Sequence, residues 1–246
     1  MKIPSDHPRK NSLKQRKKVV NSLEKGIISE HGLIAHGRGE AFDYLIGEKT
    51  TEEAKKATKA AVKLIKTSKN PILSINGNTA ALVPEDISNL VKNTNLEAEI
   101  NLFHRTQKRI EKIIDHLKKH GLSKVYGKNP EKKIPGLDHE RAKVTEKGIY
   151  SADTVIVPLE DGDRTEKLKE MNKNVIAIDL NPLSRTSQKA DITIVDNITR
   201  AIKNINKYYQ KINKSEIKDQ KSFNNQKNLK KMERKIRSGF GEEKNP

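Results

Sequence analysis

Asp179, Arg185 and Thr186 follow the apolar run VIAI in the segment VIAIDLNPLSRT, residues 175–186. The run reads as a buried strand, and residues 153–182 have the length and pattern of one βαβ unit. The acid that ends the second strand of a mononucleotide-binding βαβ unit accepts hydrogen bonds from ribose hydroxyls. An arginine that follows closely could donate paired hydrogen bonds to phosphates. The segment could therefore bind a nucleotide, although a loop cation and ordinary capping residues would give the same pattern.

The turn after the first strand of this unit reads EDGDRT and lacks the G-x-G-x-x-G pattern of dinucleotide-binding proteins. Its acidic side chains would repel a pyrophosphate. Asp161 and Asp163 could hold Mg²⁺, but acids in this position also cap a helix and complement its dipole, and the residues alone favour capping. Asn197 follows the apolar run ITIV, and it is either an ordinary cap or part of a helix terminus that attracts anions.

The segment HGRGEAFDYLIGE, residues 36–48, places Arg38 between two glycines. Glycine on both sides would let the backbone approach a ligand and would leave the guanidinium unobstructed. His36 could be an acid–base group, although lone histidines are more often buried polar residues. Glu40 falls in the first turns of the helix that we predict to follow. Arg16 lies on a basic helix face, which by itself indicates only solvent exposure.

Other catalytic and metal-binding patterns are absent from the sequence. It has no cysteine, which excludes disulfides and Cys-based zinc sites, and it has no P-loop, H-E-x-x-H or EF-hand pattern. Its first residues lack the apolar core of a signal peptide, and its apolar runs are too short to span a bilayer. We therefore expect a cytoplasmic location and no membrane partner.

Alternating strands and helices must position these residues. From about residue 70, amphipathic segments alternate with the strand-like runs PILSING, LEAEINLF, SKVYG, DTVIVPL, VIAIDL and DITIVD. Continuously apolar strands between helices indicate a parallel sheet that is covered on both faces. The predicted fold is therefore α/β, a doubly wound, mainly parallel sheet of about six strands. Such sheets bind ligands outside the carboxyl ends of their strands, where the polar clusters NGN, HRT, EDGDRT, DLNPLSRT and DN fall.

Three regions are predicted along the chain. Residues 1–69 read as a helical N-terminal extension packed on the core, residues 70–210 as the α/β core, and residues 211–246 as a basic tail that we expect to be disordered and dispensable for activity. The formal net charge is +18, and the segment 203–246 has 13 Lys or Arg residues against 5 Asp or Glu residues. Since the excess charge lies partly on this tail, we expect no specific nucleic-acid partner.

Eight segments, taken in order, resemble the archaeal phosphopantothenate synthetase family of 4-phosphopantoate–β-alanine ligases. They are IPSDHPRKNSLKQR, GLIAHGRGEAFDYLIGE, SINGNTAAL, EINLFHRT, IPGLDHERA, GIYSADTVIVPLEDGDRTEKL, VIAIDLNPLSRTS and ITIVDNITRA. The resemblance extends from about residue 2 to residue 202. It implies a Rossmann-like core, a homodimer and an ATP-dependent ligase of coenzyme A biosynthesis. Such a ligase joins 4-phosphopantoate to β-alanine, and it splits ATP to AMP and diphosphate.

The resemblance also implies the residues that bind ATP, and every one of the residue types is present: Arg16, Arg38, Asp179, Leu180, Asn181, Arg185, Thr186, Asn197 and Ile198. Release of AMP suggests that phosphopantoate attacks the α-phosphorus while Arg16 and Arg38 stabilise the negative charge. Position at neighbouring strand ends suggests four residues for the phosphate of phosphopantoate: Asn76, Asn78, Arg105 and Thr106. The candidates for deprotonating β-alanine are His36, His104 and Glu40. Mg²⁺ is expected to accompany ATP, assisted by Asp161 or Asp163.

Three other functions stay open on the residues alone. A nucleotide-dependent dehydrogenase would fit the βαβ unit but not its turn. A nucleic-acid-binding protein would fit the net charge, but aromatic residues make up only 4% of the chain and no RNP-like or helix-turn-helix pattern is present. An enzyme that uses unphosphorylated pantoate would need much the same residues, since a phosphate pocket cannot be read from a sequence.

Overall fold

A five-stranded parallel sheet lies at the centre of the computed structural model, which describes residues 9–213 and 223–239 together with residues 4, 6, 7 and 217. The strands of the described residues are β1 (Pro71–Ile75), β2 (Glu97–Ile100), β3 (Lys132–Lys133), β4 (Lys143–Val144), β5 (Thr154–Pro158), β6 (Asn174–Asp179) and β7 (Ile192–Val195). The central sheet has the order β2-β1-β5-β6-β7, and β3 pairs with β4 as a separate antiparallel ribbon. The four strand pairs of the central sheet are parallel, which confirms the predicted α/β class.

The segment SKVYG does not form the sixth strand that the sequence predicts. It makes one parallel bridge, between Tyr126 and Glu99. Tyr126 donates its backbone N–H to the Ala98 carbonyl at 2.9 Å, and its own carbonyl accepts from Ile100 at 3.0 Å. Gly127 then adopts a φ of +103°, and a side chain at this position would collide with the Ile100 carbonyl. The chain turns away there, so pairing ends after a single bridge.

Helices cover both faces of the sheet. In the described part of the chain they are α1 (Lys10–Glu24), α2 (Glu30–Ile46), α3 (Glu52–Thr67), α4 (Gly77–Leu82), α5 (Pro84–Asn93), α6 (Gln107–Lys119), α7 (Gly162–Glu170), α8 (Arg185–Lys189), α9 (Ile198–Lys211) and α10 (Asn225–Ser238). A 3₁₀ turn at Glu140–Ala142 and a π-type turn at Glu146–Tyr150 lie near the β3–β4 ribbon. Across the described residues, every helix is too short or too polar to span a bilayer.

The two faces of the sheet bury separate apolar clusters, because side chains of a strand alternate between faces. Ile156 and Ile178 belong to the cluster that α3, α5, α6 and α9 cover. Val155 and Ala177, each one residue away, belong to the other cluster, which contains Leu168 of α7 and residues of the β3–β4 region. All four strand residues have no exposed surface, so both faces are fully covered and the sheet is open only at its strand ends.

The glycine-rich segment around Arg38 is the middle of the continuous helix α2, not a loop that precedes a helix. Packing explains why a helix tolerates glycine at these positions despite its low helix propensity. Gly32 lies so close to Asn78 that a side chain would collide with the Asn78 amide oxygen, and Gly39 is buried beside Leu180 and Asn197. The glycines therefore let α2 lie directly on the strand-end loops.

The segment 211–246, for which we expect disorder, contains α10, which packs on the core. Leu229 and Met232 are buried and pack in a cluster with Phe42, Ile46 and Val195. These two apolar residues, with Ile236, form a narrow stripe at spacings of three and four on an otherwise polar helix. So few apolar residues gave too weak a signal to predict docking. The boundaries at residues 69/70 and 210/211 stay a prediction.

Candidate functional site

The strand order reverses between β1 and β5, because β1 continues to β2 on one side and β5 continues to β6 on the other. Asn76 follows β1 and ties the two strand ends together. Its amide nitrogen donates to the Pro158 carbonyl at 2.8 Å, and its amide oxygen accepts from the Thr79 backbone N–H at 2.9 Å. Ligands of open α/β sheets bind in the crevice at such a reversal. Two cavities open at this point.

The larger cavity has a volume of about 510 Å³ and lies between α2, the loops after β5 and β6, and α10. Its charged and polar wall consists of Arg38, Glu160, Asp161, Asp179, Asn181, Ser184, Glu233 and Arg237, and its apolar wall includes Phe42, Leu45, Leu180, Leu183 and Ile236. A pocket of this size with an apolar wall and a few polar groups fits a nucleotide-sized ligand. We call it the nucleotide-side cavity.

Asp179 shapes the loop that forms one wall of the nucleotide-side cavity. Its Oδ1 accepts from the backbone N–H of Leu180 at 2.6 Å and of Asn181 at 3.2 Å. Its Oδ2 accepts from the Ser184 hydroxyl at 2.5 Å. A carboxylate offers about four lone-pair directions, so one on Oδ2 remains for a further donor such as a hydroxyl. The acid both holds the loop and faces the cavity.

The second cavity has a volume of about 340 Å³ and lies between α2, the loop after β1 and the start of α6. Its charged residues are Arg38, Arg109, Arg141 and Asp161, and His31 and His104 also line it. The rings of the two histidines lie 4.8 Å apart. Arg38, Leu159 and Asp161 line both cavities, which therefore meet at Arg38. We call this space the cationic cavity.

A buried ion cluster supports the wall between the cavities. Glu160 contacts Arg141 and Arg164. Arg141 is 7% exposed and Arg164 has no exposed surface, and burial lowers the pKa of each to about 10. Both guanidinium groups therefore stay charged near neutral pH. Asp161 Oδ2 lies 3.1 Å from Arg141 Nη1, but without hydrogen-bond geometry.

Most of the residues expected at the site line these spaces. Arg38, Asp161, Asp179, Leu180 and Asn181 line the nucleotide-side cavity. Asn76, Asn78 and His104 line the cationic cavity. A third space of about 20 Å³, large enough for about one water molecule, is lined by His36, Asn78, Leu180, Asn197 and Ile198.

Other expected residues lie outside these cavities. Arg16 is paired with Glu40, with Nη2 2.9 Å from Oε2, and Glu40 also accepts from Ser12 at 3.1 Å. Arg185 extends over Gly162 and reaches to 4.0 Å from Asp163. Arg105 donates to the carbonyls of Gly127 and Lys128 at 2.6 and 3.0 Å. These side chains are directed to protein partners in this conformation.

Thr106, Thr186 and Asp163 are also occupied by local contacts. Thr106 caps α6 by accepting from the Arg109 backbone N–H at 3.2 Å, and the Thr186 hydroxyl donates to the Glu160 carbonyl at 2.8 Å. Burial alone would raise the pKa of Asp163, but hydrogen bonds from the Arg164 backbone and from His139 give a net lowering. Asp161 and Asp163 therefore do not face one space together.

His36 lies between α1 and the third space. Burial lowers its pKa, and the nearby Glu40, whose Oε1 is 3.7 Å from Nε2, offsets this only in part. The imidazole is therefore neutral near pH 7 and able to accept a proton. Its Nε2 has no hydrogen-bond partner within the described residues.

The cavity-lining residues that sequence reasoning missed include Arg109, Arg141, Glu233, Ile236 and Arg237. Arg109 is part of an amphipathic helix and reads as a solvated cation. Arg141 occurs in the segment IPGLDHERA, which was noted only for its resemblance. For Glu233, Ile236 and Arg237, the only signal in the sequence was the weak apolar stripe of α10.

Known proteins are similar to this chain over most of its length. The model of the phosphopantothenate/pantothenate synthetase family matches residues 53–239. A protein of Thermococcus onnurineus, named 4-phosphopantoate–β-alanine ligase, is 56% identical over 202 residues, which are 82% of this chain and 77% of that protein. Proteins of the same name from Methanosarcina mazei and Methanospirillum hungatei are 55% and 48% identical over 86% and 87% of this chain, and over 83% and 88% of their own lengths. These matches confirm the resemblance seen in the sequence, and the chain belongs to the phosphopantothenate/pantothenate synthetase family.

Proposed function

We propose that this chain is an ATP-dependent ligase that condenses 4-phosphopantoate with β-alanine, in coenzyme A biosynthesis, and releases AMP and diphosphate. The observation that carries the proposal is the meeting of two different cavities at Arg38. One has the acid-ended strand and apolar wall that suit a nucleoside, and the other is cationic and suits an acid. A ligase must bring these two substrates together.

A carboxylate reacts with an amine only after one of its oxygens becomes a good leaving group. In the proposed reaction the carboxylate of 4-phosphopantoate attacks the α-phosphorus of ATP, and the P–O bond to diphosphate breaks. The amine of β-alanine then attacks the acyl carbon, and AMP leaves as the amide forms. Arg38, placed between the cavities, stabilises the negative charge that develops on the α-phosphoryl group.

Asp179 accepts a hydrogen bond from a ribose hydroxyl, since one lone pair of Oδ2 remains after its loop contacts. Leu180 and Asn181 line the same cavity as Asp179, and Asn197 and Ile198 line the third space, which Leu180 also borders. Arg16, Arg185 and Thr186 contribute to ATP binding only if they leave their present partners. Of the candidate bases, His104 lines the cationic cavity together with Arg38, and His36 lines the third space. Glu40 is held by Arg16 and Ser12.

Mg²⁺ would enter with ATP. No cluster of three acidic or histidine side chains capable of holding a metal occurs among the described residues. Asp161 fits a role beside the ion, because it lines both cavities and its Oδ2 lacks a hydrogen-bond partner, whereas Asp163 is turned to His139. Bound Mg²⁺ would neutralise phosphate charge and so make the phosphorus easier to attack.

A homodimer is part of the proposal. Helix α2 exposes Leu33, Ile34, Tyr44 and Leu45, of which Ile34 is 69% exposed. Apolar side chains clustered on one helix are typical of a protein interface. A symmetric dimer through this helix would place the interface next to Arg38.

The test is a product assay with ATP, Mg²⁺ and β-alanine, and with either 4-phosphopantoate or pantoate as the acid. We expect AMP and diphosphate with 4-phosphopantoate, in amounts equal to the amide product. A reaction without β-alanine controls for ATP hydrolysis. Formation of ADP would contradict the acyl-adenylate route, and a lack of turnover with either acid would refute the ligase.

A further inference from the structure

The cationic cavity has an excess of positive charge that its own acids do not balance. Three arginines line it, Arg38, Arg109 and Arg141, against one carboxylate, that of Asp161. A cavity walled by one sign of charge concentrates ligands of the opposite sign. Its volume of about 340 Å³ is sufficient for a small organic anion.

Arg109 is a half-buried cation of this cavity whose charge is not compensated by an acid. Its Nε donates to the Ile27 carbonyl at 3.1 Å and its Nη1 to the His104 carbonyl at 2.8 Å. Neither partner is charged, and no ion pair of Arg109 occurs within the described ranges. Burial lowers its pKa, and no acidic neighbour opposes this effect. A half-buried guanidinium held only by neutral carbonyls favours an anion beside it.

The position of Arg109 is fixed before any ligand binds. The two carbonyl contacts come from different segments, the turn before α2 and the loop after β2, so they hold the guanidinium plane in one orientation. Gly77 gives the group its space, since a Cβ at that position would lie 2.5 Å from Nη2. Three of the five guanidinium N–H groups make no hydrogen bond to the described residues. A planar fork held in this way is suited to paired hydrogen bonds with a phosphate.

Arg141 provides a second, deeper cation at the same cavity. It is 7% exposed and its Nε has no hydrogen-bond partner, and its guanidinium forms ion pairs with the carboxylates of Glu160 and Asp161. Because these acids already compensate its charge, Arg141 does not need a ligand as a counter-ion. Of these two arginines, Arg109 is therefore the one that lacks a counter-ion until an anion enters.

We propose that the cationic cavity binds the phosphate of the acid substrate, and that Arg109 is the residue that selects the phosphorylated acid over the unphosphorylated one. This inference rests on the proposed ligase function and assigns the phosphate to a different arginine from Arg105, which the sequence suggested. A phosphate monoester carries nearly two negative charges at pH 7, whereas a hydroxyl carries none. With the phosphate beside Arg109, the other end of the acid faces Arg38 and the nucleotide-side cavity.

The experiment compares Arg109→Gln and Arg109→Lys with the wild-type chain in the AMP-release assay. We expect kcat/KM for 4-phosphopantoate to fall about 100-fold in Arg109→Gln, since a charge-assisted pair of hydrogen bonds is lost, while KM for ATP changes less than about threefold. Arg109→Lys keeps the charge without the fork, so its loss should be intermediate. Lys108→Gln is the matched control, because it removes an exposed charge from the same helix outside the cavity.

Inorganic phosphate serves as an independent probe. We expect it to compete with 4-phosphopantoate in the wild-type chain and to lose this inhibition in Arg109→Gln. Calorimetric titration of Arg109→Gln with ATP shows whether the variant is folded. A larger effect of Arg105→Gln than of Arg109→Gln would overturn the assignment, as would equal losses for ATP and 4-phosphopantoate. Absence of wild-type turnover would instead refute the ligase itself.

Discussion

Helix α10 should be required for nucleotide binding, and Met232→Ala tests this directly. Met232 has no exposed surface, packs with Phe42 and Val195, and accepts a weak contact from the Thr51 hydroxyl at 3.4 Å. Truncating a buried methionine to alanine costs about 2–5 kcal/mol. Because α10 can detach before the rest of the chain unfolds, the measured loss is limited by the docking free energy of the helix. We therefore expect the lower end of the range, about 2 kcal/mol.

Two measurements report this loss. For a chain of this length each kcal/mol lowers Tm by about 2–4 °C, so thermal unfolding should show a decrease of about 4–8 °C. Calorimetric titration should show weaker ATP binding, because Glu233, Ile236 and Arg237 of the same helix line the nucleotide-side cavity. Lys230→Ala, on the exposed side of α10, is the control and should change neither value.

The opposite outcome has a clear meaning. If Met232→Ala and a chain ending at residue 223 both keep the wild-type Tm and ATP affinity, α10 does not dock in solution. The tail would then be dispensable, as its composition suggests, and the wall formed by Glu233, Ile236 and Arg237 would not exist. A normal Tm with weakened ATP binding would instead mean that the substitution alters the nucleotide-side cavity without weakening the docking of α10.

Three further predictions concern single residues. Arg38→Ala should lower kcat/KM for ATP and for 4-phosphopantoate alike, by about 100-fold, because the side chain lines both cavities. Lys56→Ala on α3 is the control for loss of a positive charge. An effect on one substrate only would contradict the position of Arg38 between the two substrates. Asp179→Asn should raise the Kd of ATP about tenfold in calorimetry, since it weakens the hydrogen-bond acceptor for the ribose while it keeps the contacts with the backbone N–H groups of the loop. The control Asp138→Asn, on the surface, should leave the Kd unchanged. An unchanged Kd in Asp179→Asn would refute the ribose assignment. Burial raises the pKa of Glu99 to about 7, although backbone N–H groups of Ile149 and Thr145 donate to it. The folded chain therefore holds this proton more tightly than the unfolded chain does. The resulting contribution to stability is complete below about pH 4.5, and it is lost as pH rises to about 7, by up to about 3 kcal/mol. Urea unfolding from pH 4.5 to 7.5 should show this decrease in the wild-type chain and a smaller one in Glu99→Gln; identical slopes would place the titration elsewhere.

The strands of the sheet could be predicted because continuous apolar runs such as VIAI leave few alternatives to a buried parallel strand. The sequence predicts one strand too many because SKVYG looks like a strand. The positive φ at Gly127 ends its pairing, and no pattern of apolar residues reports a backbone angle. The first half of helix α2 was read as a loop because the propensity of glycine is local, whereas the reason for glycine there is contact with Asn78 and Leu180 across the fold.

The residues that line the larger cavity were easier to predict from the sequence than those that line the cationic cavity. Asp179 and Asn181 belong to a strand-end motif whose geometry follows from the βαβ unit itself. Arg109 and Arg141 come from a helix and a turn that reach the same cavity only through tertiary packing. Arg105 and Arg109 are four residues apart and look equivalent in the sequence. Both donate to backbone carbonyls, but only Arg109 lines the cationic cavity.

If ATP binds in the nucleotide-side cavity as proposed, its binding is coupled to the docking of α10. A ligand that contacts Arg237 or Glu233 binds only when the helix is in place, so by thermodynamic linkage it holds the helix there. At a ligand concentration of about 100 times Kd, this linkage is worth about 2.7 kcal/mol. The segment 225–238 would then become accessible to proteases chiefly when the cavity is empty.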